Sequence, residues 1–176
     1  MISSHYSRAF QREDFTDTIE YLANKVVDSF EETGVGYPIL CYSGFSGITS
    51  ATLLAYFIQK RMRVEQLYVR KKGEQEGSHG MLIEYSTTNL QGGVLVFVDD
   101  FLDTGTTLEY VISKVNNWMY FKQLPQRFST DCHYEDDSGY NHPKVPHILT
   151  GEFCKDGGAA PTIDLYKEQW YDTLNE

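Results

Sequence analysis

No stretch of this chain is long and apolar enough to cross a bilayer. Purely apolar runs such as Val94 to Val98 are short, against the roughly 20 residues a membrane helix needs. The N-terminus, MISSHYSRAFQRED, lacks the apolar core of a secretory signal, so a cytoplasmic location is expected. Cysteine is scarce: Cys41, Cys132 and Cys154 are widely spaced, odd in number and form no CxxC pair. That excludes a disulfide framework and fits a reducing compartment. Positive charge is also in short supply, with 15 Lys and Arg against 25 Asp and Glu and a formal charge of −10. Such a balance argues against nucleic acid or an anionic membrane surface as a partner. Internal repeats, low-complexity linkers and the GxxxxGK[ST] phosphate loop are absent too.

What remains is an ordinary globular composition, 41% hydrophobic and 23% charged over 176 residues. It is expected to fold as one domain spanning residues 1–176. The few cations are unevenly placed: Lys60, Arg61, Arg63, Arg70, Lys71 and Lys72 are six of the 15 basic residues. A concentrated basic stretch in an acidic protein reads either as a site for a specific anion or as a solvated helix end and loop. From Asp131 onward the chain holds three Lys against ten acids.

Periodicity gives the outline of the fold. Phe15, Ile19, Leu22, Val26 and Phe30 recur at helical spacing, with Asp14 as a candidate cap and Gly34 as a stop. Tyr37 to Tyr42 is a short apolar run expected as a buried strand. Ser43-Gly44-Phe45-Ser46-Gly47 reads as a turn, and Ile48 to Gln59 as a helix. Gln66 to Val69 and Met81 to Tyr85 are candidate strands on either side of a polar loop. Val94 to Val98 has the continuous apolar character of a strand covered on both faces. Thr107 to Trp118 returns to helical spacing, Val145 to Leu149 is a candidate last strand, and Pro161 a candidate start for a C-terminal helix. Alternation of strands and helices predicts an α/β fold with a mainly parallel sheet flanked by helices. Ligands in such sheets bind at the carboxyl ends of the strands, where the two Gly-containing turns fall.

The second turn carries the more specific chemistry. A buried strand delivers Asp99 and Asp100 to its carboxyl end. Adjacent carboxylates repel each other, and burying either requires a cation or hydroxyl partners. Thr104-Gly105-Thr106-Thr107 then opens a helix, offering free N–H groups, the helix dipole and three hydroxyls to a phosphate. Acids for diol hydroxyls or Mg²⁺, followed by a phosphate cradle, match a sugar 5-phosphate. The alternative is a capped helix beside incidental acids.

The segment VLVFVDDFLDTGTT, Val94 to Thr107, resembles the signature of the type I phosphoribosyltransferases: apolar strand, two acids, a spacer, then [DA]TGxT. The resemblance implies binding of phosphoribosyl pyrophosphate (PRPP), with Asp99 and Asp100 toward the ribose hydroxyls and Mg²⁺. Asp103 and Thr104 to Thr107 would line the base-proximal and 5-phosphate parts of the site. Two more segments match in order. Ser43, Gly44, Phe45, Ser46 and Gly47 stand where the family has its pyrophosphate loop, although no Arg or Lys lies in this one. Arg70 to Gly80, RKKGEQEGSHG, resembles the family's flexible loop, with Arg70, Lys71, Lys72 and His79 brought to the leaving pyrophosphate. The alternative there is a solvated hairpin. Family members acting on 6-oxopurines carry Asp at the position of Asp103, as a proton acceptor or donor at the base, whereas the flexible loop resembles orotate- and adenine-type members. The base therefore stays open. So does a second reading, in which the chain is a PRPP-binding regulatory protein without catalysis. A homodimer is compatible with either.

Elsewhere the signals are thinner. Cys132, His133, His142, His147 and Cys154 gather without the tight spacing of a zinc site. Trp170 and Tyr171 are candidates to stack on a base, or to make a core or dimer contact.

Overall fold

The computed structural model describes residues 15–34, 36–71, 82–87, 89–99, 106–126, 147–150 and 162–163. The first helix, α1 (Phe15–Thr33), forms because its apolar residues fall on one face. Ile19, Leu22, Ala23, Val26, Val27 and Phe30 are all buried, each large side chain contributing about 1.5–3 kcal/mol. It stops at Gly34, whose φ of 63° is the left-handed conformation glycine tolerates, and the Gly34 N–H closes on the Phe30 carbonyl at 3.0 Å.

Strand β1 (Tyr37–Ser43) follows and is buried along its whole length. It runs directly into α2 (Gly44–Ile58), then β2 (Glu65–Val69), β3 (Ile83–Tyr85) and β4 (Gly93–Asp99). Helix α3 (Thr106–Phe121) comes next, and β5 (His147–Thr150) and β6 (Thr162–Ile163) complete the described elements. The strands form one six-stranded sheet in the order β3-β2-β1-β4-β5-β6.

The fold is α/β with a mixed sheet. Its centre is parallel, β1 pairing with β2 on one side and β4 on the other. The outer strands β3, β5 and β6 join antiparallel, so the parallel character belongs to the central three strands. A helix is expected to open at Pro161; instead Thr162 and Ile163 are extended and pair with Leu149 and Ile148. A short β-branched pair beside an open strand edge gains ladder hydrogen bonds that a helix start would forgo.

Strand alternation divides the core into two layers. Leu40 and Tyr42 of β1 and Val94, Val96 and Val98 of β4 face α1 and α2. Ile39 and Cys41 of β1 and Leu95 and Phe97 of β4 face Leu108, Val111, Val115 and Met119 of α3. The helix after β1 and the helix after β4 therefore cover opposite faces of the sheet. Adjacent parallel strands whose following helices diverge in this way leave a crevice between their carboxyl ends.

Candidate functional site

That crevice is bounded by Ser43 and Asp99. The last registered pair between the two strands is Cys41 with Phe97, and Ser43 and Asp99 each lie two residues further on, where their strands end. They are buried, at 4% and 6% exposure. By strand alternation both side chains share the α3 side with Cys41 and Phe97.

The expected turn at Ser43 to Gly47 is corrected by the structure: only Ser43 precedes the helix, and Gly44 to Gly47 form the first turn of α2. Two glycines and a serine read as a loop by composition, but close packing rewards a helix here. A Cβ on Gly47 would stand 3.2 Å from the Tyr42 Cβ and 3.6 Å from the Val98 carbonyl oxygen. The small residue lets the first turn of α2 settle over the ends of both β1 and β4. The opening N–H groups of a helix have no partner within it, and Ser43, the N-cap, makes no side-chain capping hydrogen bond. The α2 N-terminus thus places a positive dipole end over the end of β4, next to the Val98 carbonyl.

Gly44 has a φ of 72°, which glycine reaches without the steric penalty of a Cβ. It also makes room for a side chain from another strand. A Cβ on Gly44 would run into the Lys71 Cε and come within 2.8 Å of its Nζ. Lys71 follows β2, the parallel neighbour of β1. The base missing from the Ser43–Gly47 segment therefore reaches it from a residue 27 positions later. An ammonium and a helix N-terminus each raise the potential there, and together they favour an anion.

The basic stretch in the sequence is otherwise divided. Lys60, Arg61 and Arg63 precede β2 and Arg70 and Lys71 follow it, so the strand holds the two groups roughly 17 Å apart at opposite sheet ends. Arg61 pairs with Asp28 and Glu31 of α1 at 2.9 and 2.7 Å, and Arg63 with Glu65 at 3.0 Å. Lys60 lies over the Tyr56 and Phe57 rings. These three serve the fold at the far end. Arg70 and Lys71, expected to act together, diverge: Arg70 is ion-paired with Glu84 of β3, while Lys71 turns to Gly44.

Thr106 and Thr107 open α3 and are exposed. Asp100, Asp103, Thr104, Gly105, Lys72 and His79 lie outside the described residues, as do Cys132, His133, His142, Cys154, Trp170 and Tyr171, and the Ser46 side chain is likewise not described. Phe45 is 58% exposed beside Gly44.

Comparison of the chain with family models, with curated proteins and with solved structures returns no match. The site therefore rests on its own geometry.

Among the described residues no three or more His, Cys, Asp or Glu side chains gather as a metal site. One buried carboxylate, Asp99, at the end of β4 fits a cation held mainly by other oxygens and water, the usual manner of Mg²⁺. Cys41 is fully buried, and burial pushes its thiol well above the ordinary range, so it does not act as a nucleophile.

Sequence reasoning passed over Tyr110 and Glu84. Tyr110, in the second turn of α3, donates its hydroxyl to the Arg70 carbonyl at 3.0 Å. Neither residue carries a local signal, because both partners come from distant elements.

Proposed function

We propose that this chain is a Mg²⁺-dependent phosphoribosyltransferase. It binds PRPP across the crevice between β1 and β4 and transfers ribose 5-phosphate to a purine or orotate base, releasing pyrophosphate. The observation that carries the reading is the side-by-side ending of β1 and β4 at Ser43 and Asp99, with helices leaving on opposite faces. A diphosphate ester of a sugar phosphate needs two anion cradles with hydroxyl-binding acids between them. The α2 N-terminus with Lys71 supplies one cradle and the Thr104–Thr107 segment the other.

In this reading Asp99 and Asp100 accept hydrogen bonds from the ribose hydroxyls. Thr104, Gly105, Thr106 and Thr107 hold the 5-phosphate, and Ser43 to Gly47 the pyrophosphate. Displacement at the anomeric carbon passes through an oxocarbenium-like transition state, so the protein mostly aligns reactants and stabilises departing negative charge. Lys71 and the α2 backbone donors do the latter, and Asp103 exchanges a proton with the base. Asp99 and Asp100 would hold Mg²⁺, which would supply further neutralisation of the diphosphate.

The test is incubation with PRPP, Mg²⁺ and each common nucleobase, reading pyrophosphate release. Turnover on one base establishes the enzyme. PRPP binding without turnover on any base sinks the enzyme reading in favour of a regulatory PRPP-binding protein. One observation favours that second reading: the Arg70 guanidinium is taken up by Glu84 instead of facing the cradle.

A further inference from the structure

Three segments of the proposed site come from separate parts of the chain, and one side chain ties them together. Resting on the reading above, we infer that Tyr110 is a positioning residue that sets the pyrophosphate cradle from the helix bearing the 5-phosphate cradle. Its hydroxyl donates to the Arg70 carbonyl at 3.0 Å. That carbonyl belongs to the peptide joining Arg70 to Lys71, so the hydrogen bond fixes the plane from which the Lys71 side chain departs toward Gly44. The preceding peptide is held separately, since the Arg70 N–H donates to the Leu82 carbonyl at 3.0 Å, and Glu84 holds the guanidinium. Arg70 is thus clamped by β3 on one side and by α3 on the other, leaving the Lys71 side chain directed across β1.

The placement of Tyr110 gives the hydrogen bond its meaning. It sits one turn into α3, four residues after Thr106, on the helix whose N-terminus the proposed reading assigns to the 5-phosphate. Its ring packs with the α3-side core, and the Lys114 ammonium lies 5.5 Å from the ring centroid. Removing the hydroxyl alone therefore leaves the packing in place.

The experiment titrates pyrophosphate and ribose 5-phosphate separately into wild type, Tyr110→Phe, Lys71→Met and the double variant by calorimetry. Tyr110→Leu, a second variant without the hydroxyl, is run alongside, and thermal melts check each fold. Loss of one neutral hydrogen bond predicts about threefold to tenfold weaker pyrophosphate binding in Tyr110→Phe, unchanged ribose 5-phosphate binding, and no further loss when added to Lys71→Met. Unchanged pyrophosphate affinity in both Tyr110 variants overturns the inference, as does a loss that adds fully to that of Lys71→Met. Equal weakening of both ligands also overturns it, because a merely structural residue behaves that way. Failure of wild type to bind either ligand instead overturns the phosphoribosyltransferase reading and the inference with it.

Discussion

The Lys71 side chain lies across Gly44, so that a methyl group at Gly44 would collide with its Cε and approach its ammonium to 2.8 Å. The close approach makes a glycine at the strand–helix junction serve two needs at once, a φ of 72° and space for a cation from the neighbouring strand.

Gly44→Ala therefore acts twice. The left-handed φ costs a non-glycine residue roughly 1–2 kcal/mol, and displacing the Lys71 ammonium weakens the anion cradle. Urea denaturation should show lower stability, and pyrophosphate titration a reduced affinity. Adding Lys71→Ala relieves the collision and recovers part of the stability but none of the anion affinity. Full recovery of stability in the double variant would mean that φ at Gly44 is not strained by a side chain.

Asp103→Ala separates binding from chemistry. On the proposed reading, loss of the carboxylate that exchanges a proton with the base should lower turnover by about 10²–10⁴ while leaving PRPP affinity largely intact. Steady-state rates and direct PRPP titration read the two effects. If affinity collapses together with turnover, Asp103 holds the loop and does not serve the base.

Alkaline stability follows from groups buried in the sheet. Burial, then the neighbouring Tyr68, pushes the Tyr42 hydroxyl up to about 12 from an ordinary 10.0; burial also raises Cys41 and Tyr37. The folded state keeps protons that the unfolded chain releases, so the contribution of these groups is constant well below pH 9 and is lost as pH rises through and beyond it. Each such group contributes a slope of at most about 1.4 kcal/mol per pH unit between its unfolded and folded values. Urea midpoints at pH 8, 10 and 11 should decline, and Tyr42→Phe should flatten the decline above pH 10. An unchanged slope in that variant would assign the loss to other groups. The substitution also removes the hydrogen bond from the Tyr42 hydroxyl to the Gln66 Oε1 at 2.9 Å, which lowers stability at pH 8, where the hydroxyl is protonated.

The central elements were readable in the sequence because their patterns are local. The helical spacing from Phe15 to Phe30 and the apolar runs at Tyr37 and Val94 each state a period and a degree of burial, and α1, β1 and β4 follow them. The start of α2 was not readable. GFSG has turn composition, and what makes it helical is the close approach of Gly47 to Tyr42 and Val98, a tertiary contact. The same holds for the site. Asp99 at a strand end is a local feature, whereas the reach of Lys71 to Gly44, the pairing of Arg70 with Glu84 and the bond from Tyr110 to Arg70 depend on which strands become neighbours. Sequence proximity even misleads at the basic stretch, where β2 carries Arg61 and Arg63 to one end of the sheet and Lys71 to the other.

The most direct measurement is calorimetric titration of PRPP with Mg²⁺ into wild type and into Asp99→Asn/Asp100→Asn. Wild type should bind one PRPP per chain. In the variant, the absence of charge-assisted hydrogen bonds to the ribose should weaken it by about tenfold or more. A wild-type protein that binds no PRPP, or a variant that binds it equally well, contradicts the assignment of the crevice between Ser43 and Asp99 as the PRPP site.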